Sequence, residues 1–185
     1  MTLKHQILEL PINHLIDEAE QIVAQKPQMA KTVAKSIAAQ IGFLGELVAM
    51  EYLELINCGF TYVDKYEYDL VLDNGATVDV KTQQRTYLPE EWHSCQIHEY
   101  QQSTQRPDYY LFVSLHAINR SESMTRFTKA HILGSIDIPT FKKKAQRLSD
   151  EELIRRNRRT DLHVVDILVS DLNPPKQLIT SQTRK

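Results

Sequence analysis

The sequence predicts an α/β domain with a central mixed β-sheet flanked by helices, and three observations carry that prediction. A long segment from Lys31 to about Ile56 has helical periodicity and is apolar nearly all round, a hairpin follows at 68–81, and an apolar strand occupies 108–115. Helices and strands interleaved in this order build a sheet between helical layers. With 185 residues, of which 42% are hydrophobic and 25% charged, the chain can bury one core of that size. The expected division is an N-terminal helical segment 1–30, a main domain 31–172 and a polar tail 173–185 containing no repeats.

No apolar run approaches the roughly 20 residues of a membrane span. Met1 to Gln6 lacks a signal-peptide core, so the expectation is a cytoplasmic, intracellular protein with no membrane partner. Cys58 at a helix end and Cys95 at a helix start form no CxxC pair and are read as free thiols. The histidines are scattered without the paired spacing of a zinc site.

Taken in order, Ile12, Leu15, Ile16, Ala19, Ile22 and Val23 recur at helical spacing, so 12–25 is an amphipathic helix that Pro27 ends. Its apolar face packs either on the domain or on a second copy in a homodimer. In the next helix, Val33, Ile37, Ile41, Leu44, Leu47, Val48, Tyr52 and Leu55 nearly encircle the axis, the pattern of a buried helix. Glu46 sits there among Gly42, Ala49, Met50 and Leu53, on a face able to approach a sheet. A carboxylate in such a place is costly; a cation, a neighbouring arginine or exposure at the helix edge would each remove the cost.

The hairpin runs through the turn signal Asp73-Asn74-Gly75. A two-residue Asn-Gly turn pairs Asp69 with Val80 and separates Asp69 from Asp79 and Lys81. A three-residue loop with Gly75 in the left-handed region pairs Asp69 with Asp79 instead. Asp79 and Lys81 share a face in both registers, because side chains at i and i+2 point the same way. Gln83 continues that face, either as a phosphate contact or as a solvated strand end.

Beyond the hairpin, the loop carrying Trp92 is either packed or a base-stacking surface, and a short helix covers Ser94 to Thr104. Tyr109, Tyr110 and Phe112 are core or sheet-face residues of the 108–115 strand. A strand at Phe127–Ser135 and a helix at Ile138–Ala145 follow. Between Lys142 and Arg159, eight basic residues (Lys142, Lys143, Lys144, Arg147, Arg155, Arg156, Arg158, Arg159) face three acids, in a chain of net charge −2. Lys142–Arg147 and Glu151–Arg159 read as two short helices around a Ser149-Asp150 cap. They form either a phosphate-gripping patch or a solvated face. The run 161–170 is strand-like and extends or flanks the sheet.

A buried helix carrying Glu46, then Asp69, a nine-residue gap and Asp79-Val80-Lys81 resembles the PD-(D/E)XK nuclease superfamily over about residues 36–150. The resemblance implies a restriction-endonuclease-like αβββαβ core. Tyr68-Asp69 stands where that family often has Pro-Asp, a departure that bears on the local bend. Gln96-Ile-His-Glu-Tyr100, read as one helical turn, resembles the Gln-x-x-x-Tyr element of RecB-like branches.

The resemblance further implies a metal-dependent DNA endonuclease that hydrolyses phosphodiester bonds and leaves 5′-phosphates. Asp69, Asp79 and the Val80 carbonyl would then hold Mg²⁺, or Mn²⁺ as substitute, with Glu46 as third ligand or water holder and Lys81 as catalytic lysine. Hard oxygen donors of this kind suit Mg²⁺. Two readings stand beside it: a catalytically silent nuclease-like fold that binds DNA or a protein, and a buried ion network of Glu46, Asp69 and Lys81.

Overall fold

Strand Tyr109–Ala117 (β6) is buried almost throughout, as expected of a strand covered on both faces, and it lies inside the main sheet. The computed structural model describes residues 7–25, 37–63, 65–155 and 163–175. Preceding β6 are β1 (Leu8–Pro11), α1 (Asn13–Gln25), α2 (Ile37–Leu55), β2 (Phe60–Tyr62), β3 (Leu70–Leu72), β4 (Thr77–Arg85), β5 (Ser94–His98) and α3 (Glu99–Thr104). After it come β7 (Phe127–Asp137), α4 (Ile138–Lys144), β8 (Gln146–Arg147), α5 (Asp150–Arg155) and β9 (Val164–Leu168). The main sheet has the order β1-β7-β6-β4-β3-β2 and is mixed: β4 and β6 pair in parallel, the other neighbours antiparallel. The chain is thus an α/β fold with a central mixed sheet flanked by helices.

The two faces of that sheet have different cover. Leu44, Val48 and Tyr52 of α2 pack with Val78, Val80, Leu111, Val113 and Ile132, and α1 adds Leu15, Ile16 and Ala19 to the same core. The apolar face of α1 therefore packs on the domain. Across the sheet, Tyr110, Phe112 and Ile136 meet Phe141 of α4 and a second, three-stranded sheet of order β5-β9-β8, through Cys95, Ile97, Val165 and Ile167. Alternation along β4 follows: Val78 and Val80 point toward α2, and Asp79 and Lys81 point to the opposite face. A Cβ on Gly45 would collide with the Thr82 side chain, so glycine lets α2 lie directly against β4 at this crossing.

Several expectations are corrected. Ser94–Thr104 is not one helix: Ser94–His98 is a strand and only Glu99–Thr104 is helical. Cys95 and Ile97 alternate inward and pair across from Ile167 and Val165, which gives the segment more burial than a helix would. Cys95 therefore lies in a strand; both cysteines are buried and neither is in a disulfide. The helix at Ile138 ends at Lys144, after which Gln146 and Arg147 form an edge strand. The 161–170 run contributes β9 to the second sheet and so flanks the main one.

The Lys31–Ile56 helix is described from Ile37 onward, with Leu55 exposed at its end; Lys31 to Ser36 and Pro27 lie outside the described residues. Segment 1–30 supplies a strand that the periodicity did not indicate, β1, paired with β7. Ser149 and Glu152 form a reciprocal cap at the start of α5. At the other terminus, Asn173 bridges to Ser135 and the Tyr52 hydroxyl donates to the Pro175 carbonyl, so the first part of 173–185 is docked. Among the described residues no helix is long and apolar enough to cross a membrane.

Candidate functional site

The β3–β4 turn sets the site. Gly75 has φ +85° and its N–H donates to the Leu72 carbonyl at 2.7 Å, while the Leu72 N–H donates to Ala76 at 2.8 Å. This is the three-residue loop, with Leu70 opposite Val78. Asp69, one residue before β3, consequently faces Asp79. Its N–H donates to Val78 at 3.0 Å, and its carboxylate accepts from the Val80 N–H at 2.7 Å.

Backbone direction matters here. Val78 and Val80 both turn their peptide groups toward β3, and a strand residue's N–H and C=O point to the same side. β3 pairs with β4 only as far as Val78, so the Val80 carbonyl faces the open edge on which Asp69 sits.

On the neighbouring face, Lys81 Nζ lies 2.8 Å from Asp79 Oδ2, with both side chains buried. The contact is an ion pair without hydrogen-bond alignment, and Asp79 Oδ2 has no aligned donor among the described residues. Lys81 Nζ donates instead to Gln105 Oε1 at 2.7 Å and stands 5.5 Å from the Tyr110 ring centre. Gln105 is anchored in turn by donating to the Tyr66 carbonyl at 3.0 Å.

Burial, then repulsion from Asp79, pushes the Asp69 carboxyl up to about 7, against the pull of the Val80 N–H and Lys81. Burial also raises the Asp79 carboxyl, opposed chiefly by the Lys81 charge. The Tyr110 phenol, buried beside Asp79, is pushed up to about 12 and stays protonated.

Asp69, Asp79, Val80, Lys81 and Gln105 line a cleft of about 980 Å³ that wraps round the open edge of β4. Glu46 enters from α2, on the other side of the sheet, and accepts from the Tyr62 hydroxyl at 3.0 Å. It shares the cleft with the Asp pair but does not cluster with it: among the described residues no three His, Cys, Asp or Glu side chains are close enough to hold a metal ion.

Gln83 lines the cleft and accepts from Arg85 Nη2 at 2.7 Å. Gln96 and Tyr100 line it as well, but from β5 and α3 respectively, so they are not one helical turn apart. Of the basic run, the described side chains Lys142, Lys143, Lys144 and Arg147 do not line the cleft. Lys142, Lys143 and Lys144 are exposed on α4, with Lys144 paired to Asp171 at 3.1 Å. Arg147 contacts His163 at 2.9 Å and Glu99 at 3.6 Å. The Arg155 side chain and all of Arg156, Arg158 and Arg159 lie outside the described residues. Trp92 is exposed against His93, also away from the cleft.

Two cleft residues went unread in the sequence. Arg85 continues the i+2 stripe of Asp79, Lys81 and Gln83, a signal that was present. Gln105 is a loop residue 24 positions after Lys81, and nothing local marks it.

The donor set fits a hard divalent cation. Mg²⁺ keeps several waters and needs only one or two carboxylates from the protein. Two buried carboxylates, those of Asp69 and Asp79, and the Val80 carbonyl at an open edge are donors of that kind, with Lys81 standing 2.8 Å from Asp79 Oδ2. Comparison with protein-family models and with curated proteins found no match to this chain.

Proposed function

We propose that this chain is a metal-dependent phosphodiesterase acting on DNA, of the PD-(D/E)XK type that its sequence resembles. The observation that carries the reading is the buried Asp69–Asp79 pair at the open edge of β4, with Lys81 2.8 Å from Asp79. Asp69, Asp79 and the Val80 carbonyl are the residues that would hold Mg²⁺ or Mn²⁺. When bound, the ion supplies Lewis acidity, offsetting charge that develops on phosphate oxygens and lowering the pKa of an attacking water.

The chain's own residues do the rest. The Lys81 ammonium orients water and offsets phosphate charge, and Gln105 fixes its position. Tyr110, protonated, closes the floor beneath Lys81 and excludes solvent. Glu46, held by Tyr62, serves as a water holder at the cleft's far wall. The exposed Lys142, Lys143 and Lys144 contact the nucleic-acid backbone outside the cleft.

One observation favours a second reading, the closed ion network. Lys81 already has two partners, Asp79 and Gln105, without any added ion. Heat protection separates the two. At tenfold over its Kd, Mg²⁺ or Mn²⁺ should stabilise the native protein by about 1.4 kcal/mol, a Tm rise of about 3–6 °C for a chain of this size. Asp79→Ala should remove the effect. A wild-type Tm indifferent to both ions, followed by scanning fluorimetry, would favour the closed network.

A further inference from the structure

The part of the cleft lined by the C-terminal end of β4, Gln83 to Arg85, has a chemistry of its own. Arg85 is only 8% exposed and lies against the Cys95 thiol; among the described residues its Nε has no hydrogen-bond acceptor and no carboxylate lies within ion-pair distance of it. Its Nη atoms are held by neutral oxygens, those of Gln83, Ser94 and Tyr87. A buried guanidinium without a counter-charge, lining a cleft, is the place for an anion from outside the chain.

Two exposed rings form part of the cleft wall. Tyr87 is 52% exposed and braced by Arg85 and His93; Tyr100 is 59% exposed and stacked on His98 at 5.7 Å. Aromatic rings held with free faces are stacking surfaces for bases. The amides of Gln96 and Gln101 also line the cleft and make no side-chain hydrogen bond among the described residues. Such amides match the edges of bases, and those edges and faces are both open only in an unpaired strand. At about 980 Å³ the cleft has the volume of a small-ligand pocket, room for a short run of nucleotides but not for a duplex.

We propose that the cleft takes an unpaired polynucleotide strand, with bases on Tyr87 and Tyr100, base edges against Gln96 and Gln101, and a phosphate at Arg85. This rests on the phosphodiesterase reading of the same cleft and narrows its substrate to single-stranded or frayed ends.

The test is fluorescence anisotropy in EDTA, with a labelled 12-mer as single-stranded DNA, as single-stranded RNA of matching sequence, and as DNA duplex. At least one single strand should bind tenfold or more tighter than the duplex. Tyr87→Ala and Tyr100→Ala, both at exposed positions, should each weaken it by roughly 5- to 150-fold. Arg85 and Lys81 should contribute about −1.4 to the slope of log affinity against log salt, and backbone contacts by Lys142, Lys143 and Lys144 should steepen it further. Duplex binding within tenfold of the tighter single strand, or wild-type affinity in both ring variants, would overturn the proposal. Because EDTA suppresses cleavage, the two readings fail separately. Cutting in Mg²⁺ without strand preference removes only this inference, whereas strand preference without cutting removes only the phosphodiesterase.

Discussion

Lys81→Met should lower the stability of the metal-free protein by about 3–5 kcal/mol at neutral pH, a Tm loss on the order of 10 °C. The substitution keeps most of the length and packing of the side chain and removes its charge together with the hydrogen bond to Gln105 Oε1. Asp79, 2.8 Å away and buried, then has no cation beside it and faces Asp69 across the strand pair. Removing one member of a buried pair costs far more than the pair contributes, because the desolvated partner is stranded. The double variant Lys81→Met with Asp79→Asn should recover most of the loss, a non-additivity that urea unfolding can measure. The loss should shrink in acid, where Asp79 can protonate. A single variant as stable as wild type at pH 7.5 would mean that the Asp79 charge is balanced elsewhere.

Asp69→Asn should act in the opposite direction, stabilising the metal-free protein above neutral pH. The sign follows from the raised carboxyl. Asp69 holds its proton up to about 7 when folded, against 3.8 as the model-compound value, so between those limits the folded state binds a proton that the unfolded state has released. Stability contributed by the neutral form is complete below pH 3.8 and is lost as pH rises to about 7. At about 1.36 kcal/mol per unit, the penalty at pH 8 is a few kcal/mol. Asparagine still accepts from the Val80 N–H through its amide oxygen and carries no charge. The variant should therefore lack most of the fall in Tm that wild type shows from pH 4 to pH 8, and it should lose heat protection by Mg²⁺. A raised Asp69 carboxyl in the metal-free protein and its heat protection by Mg²⁺ are the two halves of the proposed cation site, and this one substitution measures both. An unchanged pH slope in Asp69→Asn would assign the titration to other groups.

How much of this was legible in the sequence depended on range. The buried helix α2 and strand β6 declare themselves through long apolar periodicities, and the hairpin through Asp73-Asn74-Gly75. The hairpin register was open between two loops, and the backbone at Gly75, with φ +85°, decides it for the one that joins Asp69 to Asp79. Ser94–His98 misled because five residues are too few to separate period 2 from period 3.6. The inward residues Cys95 and Ile97 owe their burial to β9, some seventy positions later. Nothing local announces such a pairing, and a two-residue strand such as β8 has no pattern at all. The Asp79-x-Lys81 stripe was legible because alternation is local, and it could have been followed to Arg85. Gln105, which holds Lys81, reaches it only through the tertiary fold.

Breakage of phosphodiester bonds by the carboxylate pair and Lys81 can be followed as strand scission. Wild type, Lys81→Ala and Asp79→Ala, each confirmed as folded, would be incubated with plasmid, single-stranded and branched DNA in Mg²⁺ or Mn²⁺. The account predicts metal-dependent breaks by wild type, with 5′-phosphate ends, that both variants lose. Folded wild type that cuts none of these substrates with either ion, or variants that cut as well as wild type, would contradict it.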